Sequence, residues 1–95
     1  MINELFNIIL ERKTHPKPGS YTNKLLAANE DTILQKVGEE SVEVILAAKG
    51  QGNKRLIEEV SDLLYHMLVL LVRQGVTLDE VEAELQRRHK MMETK

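Results

Sequence analysis

The chain has 95 residues, 29% of them charged, with a formal net charge of −2 and no cysteine. The lack of cysteine excludes disulfide frameworks, thiolate zinc sites and thiol nucleophiles, and scattered basic residues with only one Phe and two Tyr argue against nucleic-acid binding. This length predicts a single domain, residues 1–95, whose small core a second copy of the chain would help to stabilise.

The N-terminal part of the chain predicts two helices separated by a loop. Apolar residues recur at helical spacing in residues 2–12. Two prolines and a glycine in residues 15–20 then favour an extended loop, and Ser20 or Thr22 is expected to cap a short helix. Asn29, which tolerates a left-handed backbone, is the expected turn residue after that helix.

Apolar periodicity predicts three longer helices, over residues 30–49, 54–74 and 78–90. Asn53 is the expected N-cap of the second of these helices, and Gly75 is its expected C-cap. Thr77 and Glu80 have the spacing of a capping box at the start of the last helix. No segment shows the alternation of a strand, so the predicted fold class is all-α, with four to five helices.

Residues 63–72 are apolar on nearly every side, interrupted only by Tyr65 and His66. A helix of this kind must be covered on all sides, so we expect a homodimer whose central bundle contains two copies of it, or a higher oligomer. The longest apolar run, residues 67–72, is too short to span a bilayer, and the N-terminus does not resemble a secretory signal. We therefore expect a cytoplasmic protein without membrane contact.

Two acidic pairs share one spacing, Glu40 with Glu43 and Glu59 with Asp62, each inside an otherwise apolar helical segment. Residues three apart lie on one helix face, so two such helices packed side by side would bring four carboxylates together. A cluster of this kind raises carboxylate pKa values unless a cation lies within it. Carboxylates suit Mg²⁺, or alternatively Mn²⁺, whereas a single pair of this kind is usually solvated helix surface.

The neighbours of the first acidic pair each have two interpretations. Glu39 faces solvent or acts as a general base on a water at the rim of the site. Lys36 pairs with an acid on the helix surface or contacts phosphate oxygens. Gly38, which is costly in mid-helix, reflects the close approach of a helix or ligand, or is simply tolerated. His66 is more often a satisfied core histidine than a ligand, and no Gly-rich phosphate loop is present.

Three segments together resemble a known family: residues 36–43, residues 59–66 and the upstream run Gly19-Ser20-Tyr21-Thr22. They closely resemble the phosphoribosyl-ATP pyrophosphohydrolases, a MazG-like family that performs the second step of histidine biosynthesis. The resemblance covers roughly residues 2–90. It implies an all-α MazG-like bundle completed by homodimerisation. It also implies hydrolysis of phosphoribosyl-ATP to phosphoribosyl-AMP and pyrophosphate.

The resemblance also implies roles for individual residues. Mg²⁺ is expected on four carboxylates, those of Glu40, Glu43, Glu59 and Asp62. Lys36 is expected to contact phosphate, and three further residues are expected to bind substrate: Tyr21, Thr22 and Lys24. Glu39 and Glu43 are the catalytic candidates, with Glu39 preferred as the base. Asn29 stands where many relatives have glycine, which puts no catalytic residue in doubt.

Two other functions fit the same features. A housecleaning pyrophosphohydrolase acting on dCTP, dUTP or damaged nucleotides would use the same metal site with a different substrate. A non-catalytic helical dimerisation module would carry the same acids as exposed charge, and Mg²⁺ would not stabilise it. A panel of nucleotides and a metal titration distinguish the three functions.

Overall fold

The computed structural model describes residues 1–93 as five helices joined by short loops. The helices are α1 (Ile2–Thr14), α2 (Tyr21–Ala27), α3 (Glu30–Gly50), α4 (Asn53–Gln74) and α5 (Leu78–Glu93). These 93 residues contain no strand, so the predicted all-α fold class is confirmed. The last two residues of the predicted domain, 94 and 95, lie outside the described residues.

The fold is organised around α4. Helices α3 and α4 form a hairpin joined by Gln51 and Gly52, and their pairing is the most extensive in the chain. Helices α1 and α2 also pack on α4. The buried core consists of one side chain or more from each of these four helices: Phe6, Ile9, Leu25, Ile33, Leu68, Val69 and Val72. The acidic pairs of α3 and α4 therefore lie on the two most closely associated helices.

Several predicted helix ends are confirmed. Ser20 caps α2, where its Oγ accepts a hydrogen bond from the backbone N–H of Asn23 at 3.2 Å. Gly75 ends α4 with a left-handed φ of +74°. The Oγ1 of Thr77 accepts from the N–H of Glu80 at 3.1 Å, while the Glu80 carboxylate accepts from the N–H of Thr77 at 2.9 Å. This reciprocal pair is the capping box that the spacing predicts.

Two other helix ends differ from the prediction. Asn29 does not adopt a left-handed backbone, because its φ is −58°. It is instead the N-cap of α3, and its Oδ1 accepts from the N–H of Asp31 at 2.9 Å. Asn53 is the first residue of α4 and not its cap; the capping position belongs to Gly52, whose φ of +88° favours glycine.

Arg73 on α4 fixes the position of α2. Its Nη1 donates to three carbonyl oxygens at the end of α2, those of Leu25, Leu26 and Ala28, at 2.8, 2.9 and 2.7 Å. The last carbonyls of a helix lack partners within the helix, and here a guanidinium on another helix satisfies them. The short helix α2 is therefore held against α4 at its C-terminal end.

The central helix is covered on most of its apolar surface, but not on all of it. Leu68, Val69 and Val72 are buried, whereas Met67 is 45% exposed. Helix α5 contains no buried residue. None of the helices in residues 1–93 has the length and apolarity that a membrane span needs. The predicted complete covering of α4 is therefore not achieved within a single chain.

Candidate active site

Helices α3 and α4 place the acidic pairs opposite one another as two couples. The negative charge of Asp62 acts on Glu40 at one position along the hairpin. At the other position, Arg55 lies beside both Glu59 and Glu43. The antiparallel hairpin therefore sets Glu40 across from Asp62 and Glu43 across from Glu59. The four predicted metal ligands are therefore brought together two by two.

Glu40 is the acid whose ionisation the fold opposes most clearly. Its side chain is 15% exposed. Burial is the largest influence that raises its pKa above the usual value, and the charge of Asp62 raises it further. His66 and Lys36 oppose this rise without cancelling it. His66 and Lys36 thus offset the cost of a charged Glu40 carboxylate only in part.

His66 contacts three separate segments through its two ring nitrogens. Nδ1 donates to the backbone carbonyl oxygen of Asp62 at 2.9 Å. The Oε1 atom of Glu40 lies 2.5 Å from the same nitrogen. Nε2 lies 3.0 Å from the hydroxyl of Tyr21, from which it accepts when the ring is neutral. His66 is therefore a buried, hydrogen-bonded histidine, as predicted, and it links α2 to both acidic helices.

Oε1 of Glu40 is an incompletely satisfied acceptor. His66 Nδ1 lies 2.5 Å from it, but the same nitrogen also lies 2.9 Å from the Asp62 carbonyl oxygen, so two acceptors share one donor. Within residues 1–93, this buried oxygen has no other hydrogen-bond partner. Buried polar atoms are nearly always satisfied, so an acceptor that shares its one donor has capacity for a cation.

Arg55 partly neutralises the second couple. Its Nη2 donates to Oε1 of Glu59 at 2.6 Å, and its Nη1 to Oε1 of Glu58 at 2.9 Å. The hydrogen bond to Glu58, followed by the charges of Glu59 and Glu43, raises the pKa of Arg55. The Glu59 side chain is only 9% exposed, whereas that of Glu58 is 47% exposed. Arg55 therefore supplies positive charge to both Glu43 and Glu59.

With the acids paired in this way, no three His, Asp or Glu side chains among the described residues come close enough together to hold a metal ion. The predicted four-carboxylate metal site thus stays a prediction. The residues suit a hard cation nevertheless, because they are all oxygen donors. The incompletely satisfied Oε1 of Glu40 and the raised pKa of this carboxyl group also favour a cation here.

The predicted substrate-binding residues of α2 lie next to the first acidic couple. Besides the contact of Tyr21 with His66, the Oγ1 of Thr22 lies 2.5 Å from the hydroxyl of Tyr65. The rings of Tyr21 and Tyr65 stack, with centroids 6.3 Å apart and planes inclined by 22°. The Tyr21 ring also meets the His66 ring edge-on, with centroids 6.0 Å apart. Two hydrogen bonds and two ring contacts therefore hold the first turn of α2 beside the α4 segment that follows Asp62.

The remaining predicted residues lie at the edge of this site. Lys36 is close enough to Glu40 for its charge to act on that carboxyl group. Lys24 is exposed and lines an open cavity of about 530 Å³. Glu39 is exposed, so it lies on the solvent side of the acids. No described atom of this chain lies within 4 Å of the position of a Gly38 Cβ, so packing within one chain does not explain this glycine.

The contacts that connect the site involve residues outside the predicted set of ligands. Arg55 precedes Glu59 by four residues, a spacing at which helical side chains meet, so this pair could have been predicted. The contact of His66 with Glu40 has no comparable signal within one helix. It depends on how α3 and α4 are aligned, and the Tyr21 contact depends on the path of the chain into α2.

The matches to known proteins extend over this whole site. The model of the family described as Phosphoribosyl-ATP pyrophosphohydrolase matches residues 2–89, which include all four facing acids. The chain belongs to this family. Among its relatives, the phosphoribosyl-ATP pyrophosphatase of Lactiplantibacillus plantarum is 52% identical over 96% of this chain and 86% of its own length.

Other members of the phosphoribosyl-ATP pyrophosphohydrolase family are similar over comparable lengths. The phosphoribosyl-ATP pyrophosphatase of Listeria welshimeri is 51% identical over 99% of this chain and 90% of its own length. That of Clostridium botulinum is 51% identical over 93% of this chain and 80% of its own length. The family resemblance inferred from three short segments is therefore confirmed over nearly the full chain.

Proposed function

We propose that this chain hydrolyses phosphoribosyl-ATP to phosphoribosyl-AMP and pyrophosphate, the second step of histidine biosynthesis. The observation that carries the proposal is the family match over residues 2–89, which includes both acidic pairs. Relatives about half identical over nearly the whole chain are named phosphoribosyl-ATP pyrophosphatase. The two facing carboxylate couples supply the kind of site that phosphoryl chemistry needs.

Glu40, Glu43, Glu59 and Asp62 would together hold Mg²⁺, with Mn²⁺ as the alternative. When bound there, such an ion neutralises phosphate charge and helps to orient the groups that react at phosphorus. Support for this ligand set comes from the incompletely satisfied Oε1 of Glu40 and from the burial that raises the Glu40 pKa. Both observations indicate a place where added positive charge is favourable.

The chain's own residues would position the substrate and the water. Lys36, whose charge already acts on Glu40, would contact the triphosphate. Tyr21 and Thr22, fixed by hydrogen bonds to α4, would line the nucleotide side. Glu43, whose charge acts on Arg55, would act at the reacting phosphate. The exposed Glu39 would accept a proton only from a water at the solvent side.

We also infer a homodimer with a cytoplasmic location. Large apolar side chains remain exposed on α3, α4 and α5, among them Val42, Ile45, Ile57, Met67 and Leu85, which are between 45% and 67% exposed. Large apolar side chains left exposed in this number commonly mark an interface between subunits. Light scattering coupled to gel filtration measures the mass directly; a mass of one chain at micromolar concentration would refute the dimer.

A substrate panel tests the proposed activity. Purified protein with MgCl₂ is assayed for pyrophosphate release from phosphoribosyl-ATP, ATP, dCTP and dUTP. We expect turnover of phosphoribosyl-ATP with little turnover of the other nucleotides. Preferred turnover of dCTP or dUTP would instead identify a housecleaning enzyme. No turnover of any nucleotide, with no stabilisation by Mg²⁺, would identify a non-catalytic helical module.

A further inference from the structure

The substrate named in the proposed function, on which this inference rests, has two anionic ends. One is the triphosphate on the ribose of the ATP part. The other is the 5′-phosphate of the second ribose, which belongs to the phosphoribosyl group. ATP lacks this second phosphate, so an enzyme can distinguish the two molecules by recognising it. In the proposed function, the acids and Lys36 serve the triphosphate. A separate group of cations would suit the 5′-phosphate.

An open cavity beside α2, which we call the loop cavity, offers such a group. It has a volume of about 530 Å³ and is formed by residues 16–21 together with Asn23 and Lys24. Lys17 and Lys24 are both exposed, and the described residues that line the cavity include no Asp or Glu. Two ammonium groups without an adjacent acid favour an anion from outside the chain.

The wall of the loop cavity is held in shape by Asn23. Its Oδ1 accepts from the backbone N–H of Lys17 at 2.8 Å, and its Nδ2 donates to the carbonyl oxygen of Arg12 at 2.7 Å. Its own backbone N–H donates to Oγ of Ser20 at 3.2 Å. These bonds fix the loop without a ligand, which lowers the entropy lost when one binds.

Tyr21 connects the loop cavity to the acids. It lines the cavity, while its hydroxyl lies 3.0 Å from Nε2 of His66. The other nitrogen of that ring lies 2.5 Å from Glu40. The cavity and the acidic couple are thus separated by the side chains of Tyr21 and His66. A molecule with phosphates at both ends could reach the two places at once across the half-exposed Tyr21 ring.

We propose that the loop cavity binds the 5′-phosphate of the phosphoribosyl group through Lys17 and Lys24. This contact determines specificity for phosphoribosyl-ATP over ATP. The triphosphate and the second phosphate then occupy opposite sides of Tyr21. Because both lysines are exposed, their contribution weakens as ionic strength rises.

Kinetics of Lys17→Gln, Lys24→Gln and the double variant test the proposal, with Lys49→Gln as the control. Lys49 is an exposed lysine in the last turn of α3, outside the cavity. We expect KM for phosphoribosyl-ATP to rise about tenfold for each cavity lysine removed, with kcat little changed. The inhibition constant of ATP, as a competitor, should stay at the wild-type value. The control should leave both constants unchanged.

Two kinetic results would overturn the proposal. An equal rise in the inhibition constant of ATP would mean that the lysines hold the triphosphate. An unchanged KM in the double variant would mean that the cavity is not part of the substrate site. Circular dichroism confirms that each variant is folded, and these exposed positions are not expected to affect folding.

A binding experiment separates this inference from the proposed function. Ribose 5-phosphate is titrated into isotope-labelled wild-type protein without metal, and inorganic phosphate is titrated in parallel. We expect the sugar phosphate to shift the amide signals of Gly19, Ser20 and Lys24, and to do so more tightly than phosphate alone. No shift in these signals would refute the site. Shifts in a protein that does not hydrolyse phosphoribosyl-ATP would support the site and refute the proposed reaction.

Discussion

The Nδ1 atom of His66 lies 2.5 Å from the buried Oε1 of Glu40, and the opposite ring nitrogen lies 3.0 Å from the hydroxyl of Tyr21. One imidazole therefore touches the acidic helix α3 and the α2 segment while it belongs to α4. A change in the position of α2 would therefore alter the surroundings of Glu40, an acid proposed to hold the metal. Substrate binding at Tyr21 and cation binding at Glu40 are accordingly expected to influence one another.

Removal of the Tyr21 hydroxyl tests the contact with His66. We expect Tyr21→Phe to lower the free energy of unfolding by about 1 kcal/mol, the usual net contribution of one hydrogen bond. Urea denaturation at a fixed protein concentration measures it, because the stability of an oligomer depends on concentration. In a His66→Ala background the same substitution should cost much less. An equal cost in both backgrounds would show that the two side chains do not interact energetically.

Glu40 should make the metal-free protein less stable as pH rises. Burial, followed by the charge of Asp62, raises the Glu40 pKa above its ordinary value of 4.5. The folded state thus holds this proton more tightly than the unfolded chain does. The resulting stabilisation is fully present below pH 4.5 and is lost as pH rises through the folded pKa.

The variant Glu40→Gln isolates this effect, because its side chain does not ionise. Relative to wild type, we expect it to gain stability as pH rises from 4.5 towards neutrality. Urea denaturation of both proteins in a chelator, over a series of pH values, gives the difference. A difference that is constant with pH, or that favours wild type increasingly, would show that burial does not oppose ionisation of Glu40.

The acids paired with Arg55 provide a matched test of the metal site. Glu58 and Glu59 both bind Arg55, but only Glu59 is nearly buried. We expect MgCl₂ to raise the Tm of wild type and Glu58→Gln, since a ligand that binds the folded state stabilises it. The rise should be largely lost in Glu59→Gln. Equal loss in the two variants would indicate a general charge effect and not a site.

Much of the site could be predicted from positions along the chain. Glu40 and Asp62 are each eleven residues from Gln51, and Glu43 and Glu59 are each eight residues from it. In a helical hairpin that turns at Gln51, two residues that are equally far before and after the turn lie at the same level along the two helices. The facing couples therefore follow from the two acidic spacings and the turn residues Gly50 to Gly52.

Other features could not be predicted, because they depend on packing between segments. The periodicity of α2 does not indicate that Arg73 satisfies its last carbonyls or that Tyr21 reaches His66. Asn is a good capping residue, so the sequence predicts Asn53 as the N-cap of α4. The turn between α3 and α4 instead places Gly52 at the capping position. The contact of Glu40 with His66 joins two helices, so helix spacing alone does not reveal it.

Release of pyrophosphate from phosphoribosyl-ATP, measured with wild-type protein and Glu43→Gln in saturating MgCl₂, tests most directly whether the facing acids of α3 and α4 perform this reaction. We expect wild type to release pyrophosphate. The variant should be slower by more than about a hundredfold, since even residues behind metal ligands typically contribute 10- to 100-fold. Wild-type protein that is folded and does not release pyrophosphate, or a Glu43→Gln variant with wild-type rates, would contradict the proposed active site.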